Sequence, residues 1–164
     1  AALLNNCKYG ISMNGNSLEL TLLRASAGAE MRADNGQHQF TYAFTAWEGN
    51  FADCDVVRQG YEVNVAPLVT AGGGRDFSLL SIEQENIFAD TLKPAEDGSG
   101  DWILRLYEAK KAARRARIHL TRENVRAYEC DMLENVLQEI PVEDGKVTVD
   151  FRAFEVKTIR LVSK

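Results

Sequence analysis

Apolar and polar residues alternate one by one along most of this chain, and that period of two narrows its folds more than any other feature. Leu18-Glu19-Leu20-Thr21-Leu22 is one such run. Residues 38–44 are another, with Phe40, Tyr42 and Phe44 on one face. Residues 77–82, 87–92, 102–107, 116–120, 125–132, 147–151 and 154–162 continue the pattern. Successive side chains of a strand point to opposite faces, so alternation predicts strands with one face buried and one wet. Turn residues separate the runs: Asn14-Gly15-Asn16, Asp34-Asn35-Gly36, Gly72-Gly73-Gly74, Asp97-Gly98-Ser99-Gly100 and Glu143-Asp144-Gly145. Many short strands punctuated this way predict an all-β fold, an antiparallel β-sandwich.

Two stretches depart from the pattern. Residues 50–60 carry Phe51, Cys54 and Val57 at roughly helical spacing, with Asn50 placed to cap and Gly60 to stop. One short helix is predicted there, near residues 51–60. Residues 108–117 are rich in Ala, Lys and Arg, which are good helix formers. The strand-like runs on either side nevertheless make a hairpin connection the better expectation. Pro67 and Pro94 stand near strand ends, where a missing N–H does no harm. The 66–76 loop is the natural internal boundary, so the chain is expected to divide into a first part, 1–78, and a second, 79–164.

The 164 residues suffice for one compact domain or two small ones. An apolar content of 45% excludes a disordered chain. No apolar run approaches the roughly 20 residues that span a bilayer, so no membrane partner is expected. Nineteen Lys and Arg against 24 Asp and Glu leave a net charge of −5, which argues against nucleic acid as a partner. Cys7, Cys54 and Cys130 are scattered and odd in number, with no CxxC pair. They fit small buried thiols in a reducing compartment better than a disulfide framework or a zinc knuckle. No initiator Met, signal peptide or lipidation motif opens the sequence, and Ala1-Ala2-Leu3-Leu4 reads as the middle of a strand. A piece of a longer polypeptide is expected.

Constellations that carry chemistry are sparse. His38 and His119 are the only histidines, too few for a catalytic zinc site unless carboxylates complete it, and no spacing motif supplies them. Both are expected to be ordinary strand residues. No G-x-S-x-G elbow is present. Gly72-Gly73-Gly74-Arg75 lacks the Lys-Ser/Thr ending of a phosphate loop and reads as a flexible turn. Lys110, Lys111, Arg114, Arg115 and Arg117 cluster without interleaved aromatics, as a solvated hairpin tip would; a docking patch for an acidic surface is the other reading. Glycoside hydrolysis needs a carboxylate pair, and Glu96, Asp97, Glu108, Glu129, Asp131 and Glu134 could include one. On strands these are better read as ion pairs and turn contacts, with Lys93, Arg105 and Glu108 in a cross-strand charge network.

Particular residues go further than periodicity. Asn5-Asn6-Cys7-Lys8-Tyr9-Gly10 is followed by Gly15-Asn16-Ser17-Leu18-Glu19-Leu20-Thr21-Leu22-Leu23-Arg24 and by His38-Gln39-Phe40-Thr41-Tyr42-Ala43. Then come Leu92-Lys93-Pro94-Ala95-Glu96-Asp97-Gly98 and Leu104-Arg105-Leu106-Tyr107-Glu108. Glu129-Cys130-Asp131-Met132-Leu133-Glu134 and Phe154-Glu155-Val156-Lys157-Thr158-Ile159-Arg160-Leu161 complete the series. In order and spacing these segments resemble the C-terminal region of family 38 glycoside hydrolases, the retaining, metal-dependent α-mannosidases, and within them the bacterial and cytosolic or vacuolar branch. The resemblance covers nearly the whole chain. It departs at Asn6, where Asp is common, at Ala46-Trp47 in place of Pro-His, at Ala153 in place of Pro, and in the 110–115 turn, which lacks a Gly.

The resemblance implies a parent enzyme, cytoplasmic in location, that hydrolyses terminal α-mannosides through a covalent intermediate. Its nucleophile, acid/base carboxylate and zinc or other divalent metal would lie in an N-terminal catalytic barrel that no part of this chain resembles. The chain would then be non-catalytic, with no cofactor of its own: the second half of the large C-terminal β-sandwich over 1–78 and a small terminal β-sandwich over 79–164. Its partners would be that catalytic domain and the α-mannoside substrate. Asn6, Lys8, Tyr9 and Gly10, with Arg24 at the end of the next strand, correspond to the stretch that reaches toward the sugar. Lys8 and Arg24 would hydrogen-bond hydroxyls and Tyr9 would stack on a sugar face. An alternative from another class is a stand-alone carbohydrate- or protein-binding module, for which Trp47, Trp102 and Tyr107 are the rings to inspect. A sandwich cut from its parent exposes edges and a former interface, so a homo-oligomer is expected.

Overall fold

The structure, a computed structural model, describes residues 1–25, 28 and 31–163. It divides into two units, Ala1–Ala71 and Gly72–Lys164. Among the described residues no helix is long and apolar enough to cross a membrane.

In the first unit, β1 (Ala2–Asn5) pairs antiparallel with β4 (Tyr42–Thr45), and β2 (Ile11–Asn14) forms a hairpin with β3 (Ser17–Leu20). A 3-10 turn, Phe51–Asp53, precedes α1 (Val56–Asn64), which packs on β1. The helix expected over 51–60 is therefore two pieces, and its end is displaced. Asn50 does stand at the head of the 3-10 turn, its N–H donating to Asp53 Oδ2 at 3.0 Å. Cys54 then returns to extended backbone (φ −94°, ψ 161°) and Asp55 heads α1. Gly60 lies inside α1, where the Asn64 side-chain amide donates to its carbonyl at 2.9 Å. Glycine stops a helix by taking the left-handed conformation after the last turn, and Gly60 does not take it.

Alternation in this unit does not yield a buried apolar face. Tyr42 and Phe44 of β4 are 55% and 65% exposed, and of the unit's described apolar residues only Cys54 is buried. The strand expected over 38–44 shortens to β4, because Thr41 is tied off by Asn6 instead. Two-stranded sheets have no second layer of their own to cover them.

The second unit is the predicted sandwich. Its strands are β5 (Leu80–Ile82), β6 (Ile87–Pro94), β7 (Trp102–Glu108), β8 (Arg114–Leu120), β9 (Val125–Cys130), β10 (Val136–Ile140), β11 (Val142–Glu143), β12 (Lys146–Phe151) and β13 (Val156–Ser163). They form a five-stranded sheet, β10-β9-β13-β7-β6, and a four-stranded one, β11-β12-β8-β5, with every pair antiparallel. Ile87, Leu104, Leu106, Ala127, Ile140 and Ile159 of the first sheet meet Ala116, Ile118, Val147, Val149 and Phe151 of the second in one core. The alternation predicted for 102–107 and 147–151 appears here as burial at every second residue of β12. Asp144 (φ 48°) and Gly145 (φ 73°) make the tight turn between β11 and β12 that their sequence predicts.

One connection is not what the sequence suggests. β7 and β8 lie in different sheets, so residues 109–113 form a corner between layers and not a hairpin. Glu108 holds that corner. It lies on the core face of β7 with Leu104 and Leu106, and is 1% exposed. Asn86 Nδ2 and the Lys110 N–H donate to its Oε1 at 2.8 and 2.7 Å, and the Phe154 N–H donates to its Oε2 at 2.9 Å. A hairpin would leave this carboxylate without those donors.

Candidate functional site

The residues with a predicted sugar-facing role gather in the first unit. Residues 6–10 connect β1 to β2 and are held by short local bonds. Asn5 Oδ1 accepts the Lys8 N–H at 2.7 Å. Asn6 joins the strand before β4 twice: its N–H donates to the Thr41 carbonyl at 3.2 Å, and its Oδ1 accepts the Thr41 N–H at 2.9 Å. Its side chain is thereby committed to the backbone. The Lys8 ammonium sits 5.0 Å from the centre of the Phe40 ring, itself stacked on Tyr42 at 6.3 Å. Gly10 accepts the Thr21 N–H at 2.8 Å, and a Cβ at Gly10 would stand 3.0 Å from that of Thr21. Glycine is what lets the two backbones approach so closely. Tyr9, between these anchors, is 86% exposed. Arg24 is exposed beyond the end of β3. The structure thus brings Asn6, Lys8, Tyr9 and Gly10 into one braced loop.

The carboxylates singled out from the sequence are all engaged structurally. Glu134 is 8% exposed at its side chain and pairs with Lys93 at 2.7 Å; its other oxygen accepts the Glu96 N–H at 2.9 Å. That backbone bond, and then the Lys93 ammonium, hold the Glu134 carboxyl below the usual range. Glu134 and Glu96 push the Lys93 pKa up. The charge network expected for Lys93, Arg105 and Glu108 therefore has Glu134 in the third place, with Arg105 at 3.9 Å. Glu108 faces inward at the far end of β7. Burial raises its pKa, but the amides of Phe154, Asn86, Lys110 and Ala112 outweigh burial and leave it below the ordinary value.

Asp97 and Asp101 grip Arg160, each at 2.7 Å. The Ser99 hydroxyl and N–H, then Arg160, lower the Asp97 pKa to about 2. Glu129 is bonded by Lys157 and by Gln138. Asp131 Oδ1 accepts the N–H groups of Leu133 and Asn135 at 2.8 and 2.9 Å, closing the turn into β10. Each of these acids thus has a structural partner.

Of the basic cluster, Arg115 pairs with Asp150 at 2.8 Å and Arg117 with Glu83 at 3.3 Å. His119 on β8 also contacts Glu83, at 2.7 Å, whereas His38 lies outside any strand and bonds the Asp34 carbonyl at 2.9 Å. Cys54 and Cys130 are buried as expected; Cys7 is exposed, since the loop that carries it leaves the sheet. Among the described residues no three His, Cys, Asp or Glu are placed to hold a metal ion. They do not fit the divalent metal that the resemblance implies for a catalytic domain.

Of the rings named for a stand-alone sugar module none is fully buried, and two have local partners. Trp47 Nε1 donates to the Asn50 carbonyl at 3.2 Å, and Tyr107 stacks on Phe88 at 5.6 Å. Trp102 lines an apolar cleft at one end of the sandwich, with Leu80, Leu92, Leu120, Val125 and Leu161. Sugar hydroxyls would find few partners there. Nothing in the period-two pattern marks this cleft, because its strand residues, such as Leu80, Trp102, Leu120 and Leu161, occupy regular inward positions.

Comparison with known proteins finds similarity to α-mannosidases and to one of their domains. Residues 86–159, within the second unit, match the glycosyl hydrolases family 38 C-terminal beta sandwich domain. Alpha-mannosidase 2C1 of Homo sapiens is 33% identical over 169 residues, which take in 98% of this chain and 16% of the human protein. Alpha-mannosidase G of Dictyostelium discoideum is 32% identical over 174 residues, 99% of this chain and 16% of that protein. The Saccharomyces cerevisiae Alpha-mannosidase is 26% identical over 185 residues. The chain spans about one sixth of the length of these curated relatives.

Proposed function

We propose, from the match of residues 86–159 to the glycosyl hydrolases family 38 C-terminal beta sandwich domain, that the chain is a non-catalytic β-domain of an α-mannosidase. The proposed parent hydrolyses terminal α-mannosides with retention. Its reaction takes place in a catalytic domain N-terminal to this chain, which also holds the zinc or other divalent metal. One observation carries the reading: similarity to α-mannosidases runs through both units, across 98% of the chain. The exposed apolar side chains of the first unit support it. Tyr9, Met13, Tyr42 and Phe44 are all more than half exposed, and such faces are usually covered in the working protein. The catalytic domain of the same polypeptide is the proposed cover. Where that cover is missing, the same faces are proposed to bring copies of the chain together into homo-oligomers. Three unpaired thiols support a reducing, cytoplasmic setting.

In this setting the braced loop of Asn6, Lys8, Tyr9 and Gly10, with Arg24, is proposed to help wall the sugar pocket. Lys8 and Tyr9 are its outward groups. Asn6 and Gly10 shape the loop. The test uses the parent enzyme and an aryl α-mannoside. Tyr9→Ala should raise KM about tenfold, the loss of one ring contact worth roughly 1–1.5 kcal/mol, with Tyr9→Phe close to wild type. An unchanged KM in Tyr9→Ala would remove the loop from the pocket. The isolated chain should show no turnover, and measurable hydrolysis by it would overturn the non-catalytic reading altogether.

A further inference from the structure

We propose that the apolar cleft at the end of the second unit's sandwich binds a short aliphatic carboxylate, its tail between the sheets and its head group on Arg122. The two ends of this sandwich differ. At one end Lys157, Glu129 and Gln138 are bonded to one another. At the other, the inward positions of β5, β7, β8 and β13 present Leu80, Trp102, Leu120 and Leu161 around an opening of about 90 Å³. Trp102 is 37% exposed there although it lies on the core face of β7. A well-packed interior leaves no such gap, and an apolar pocket with one or two placed polar groups is the usual form of a small-molecule site.

The polar members of the lining are Arg122 and Ser163. Arg122 is exposed, and no acidic side chain pairs with it among the described residues. Arg115, Arg117, Arg126, Arg152 and Arg160 each have a carboxylate partner; Arg114 also has no ion pair among the described residues, but of the two only Arg122 borders the cleft. A guanidinium favours a carboxylate that can take two parallel hydrogen bonds. The nearly all-apolar lining suits an alkyl chain and offers the hydroxyls of a sugar few partners. An anionic head on a short apolar tail therefore matches both the charge and the room. This inference is tested apart from the mannosidase reading, since its experiment reads binding to the 164-residue chain and not turnover by a parent enzyme.

Trp102 supplies the readout. In a Trp47→Phe background it is the sole tryptophan, and its emission should shift to the blue as an alkyl chain replaces water. Butanoate, hexanoate, octanoate and decanoate are titrated into the 164-residue chain, with octanol and octylamine as neutral and cationic controls. Affinity should rise about fourfold per methylene while the tail still finds cleft wall, then level off. Arg122→Ala, an exposed change that leaves the core intact, should weaken octanoate at least fivefold and leave octanol unchanged. Val125→Phe should fill the cleft and abolish the shift. Equal binding of octanol and octanoate, or an Arg122→Ala variant that binds octanoate as well as wild type, would overturn the proposal. A wholly silent series would also overturn it, and would leave the cleft as a seat for a side chain of another protein segment.

Discussion

Glu108 shows how much one side chain can decide. It is a carboxylate at a core position, where burial raises its pKa, yet four surrounding donors hold it below the ordinary value. Glu108→Gln puts an amide NH₂ against backbone N–H groups that need an acceptor. The variant should lose about 2 kcal/mol of stability in a urea melt of the chain, whereas Glu123→Gln on an exposed loop should lose nothing measurable. Asp97 makes a different prediction. Its pKa is lowered to about 2 in the fold, so its contribution is complete above the ordinary value of 3.8 and is lost as pH falls from there through about 2. Unfolding midpoints taken down that range should drop for wild type and drop less for Arg160→Met. The structure puts Glu108 on the inward face with Leu104 and Leu106, whereas from sequence it is assigned to a charge network with Lys93 and Arg105. The sequence does not say which acid finds donors there. Two of the four donors come from Asn86 and Phe154, far away along the chain, which is why Glu108 is drawn to Lys93 on paper and to amides in the fold. Glu134 is missed as the network's true member for the same reason.

Strands were legible where a second layer covers them. β6, β7, β8, β12 and β13 fall within a residue or two of the alternating runs, because each has one face on a shared core. β10 escapes detection because the register slips between Val136 and Gln138. The extra residue there breaks the period of two that reveals the other strands. β4 shows the converse: its aromatic alternation is real, and in its own unit the ringed face is the open one. The helix was found but misplaced, because Gly60 has the look of a stop signal and none of its geometry. That yields a sharp expectation. A Cβ at Gly60 meets nothing within 4 Å, and glycine inside a helix costs about 1 kcal/mol against alanine. Gly60→Ala should slow amide hydrogen exchange over residues 60–64 about fivefold. Unchanged exchange there would mean that α1 opens by leaving β1 as a unit and not by fraying.

At the scale of the molecule the two units are unequal. The second has a continuous core drawn from both sheets; the first buries little beyond Cys54. Brief digestion with a non-specific protease should therefore cut within residues 1–71 and leave a resistant piece that begins between residues 72 and 80. Equal resistance of both units would contradict the proposed need for a cover. The order of the five-stranded sheet has its own consequence. Its middle strand, flanked by β9 and β7, is β13, the last of the unit in sequence. A ribosome delivers β6, β7 and β9 long before it delivers the strand that must lie between β7 and β9. The unit cannot close in the order in which it is made: a gap one strand wide waits until residues 156–163 emerge, and a chaperone that shields such edges would find its substrate during that interval.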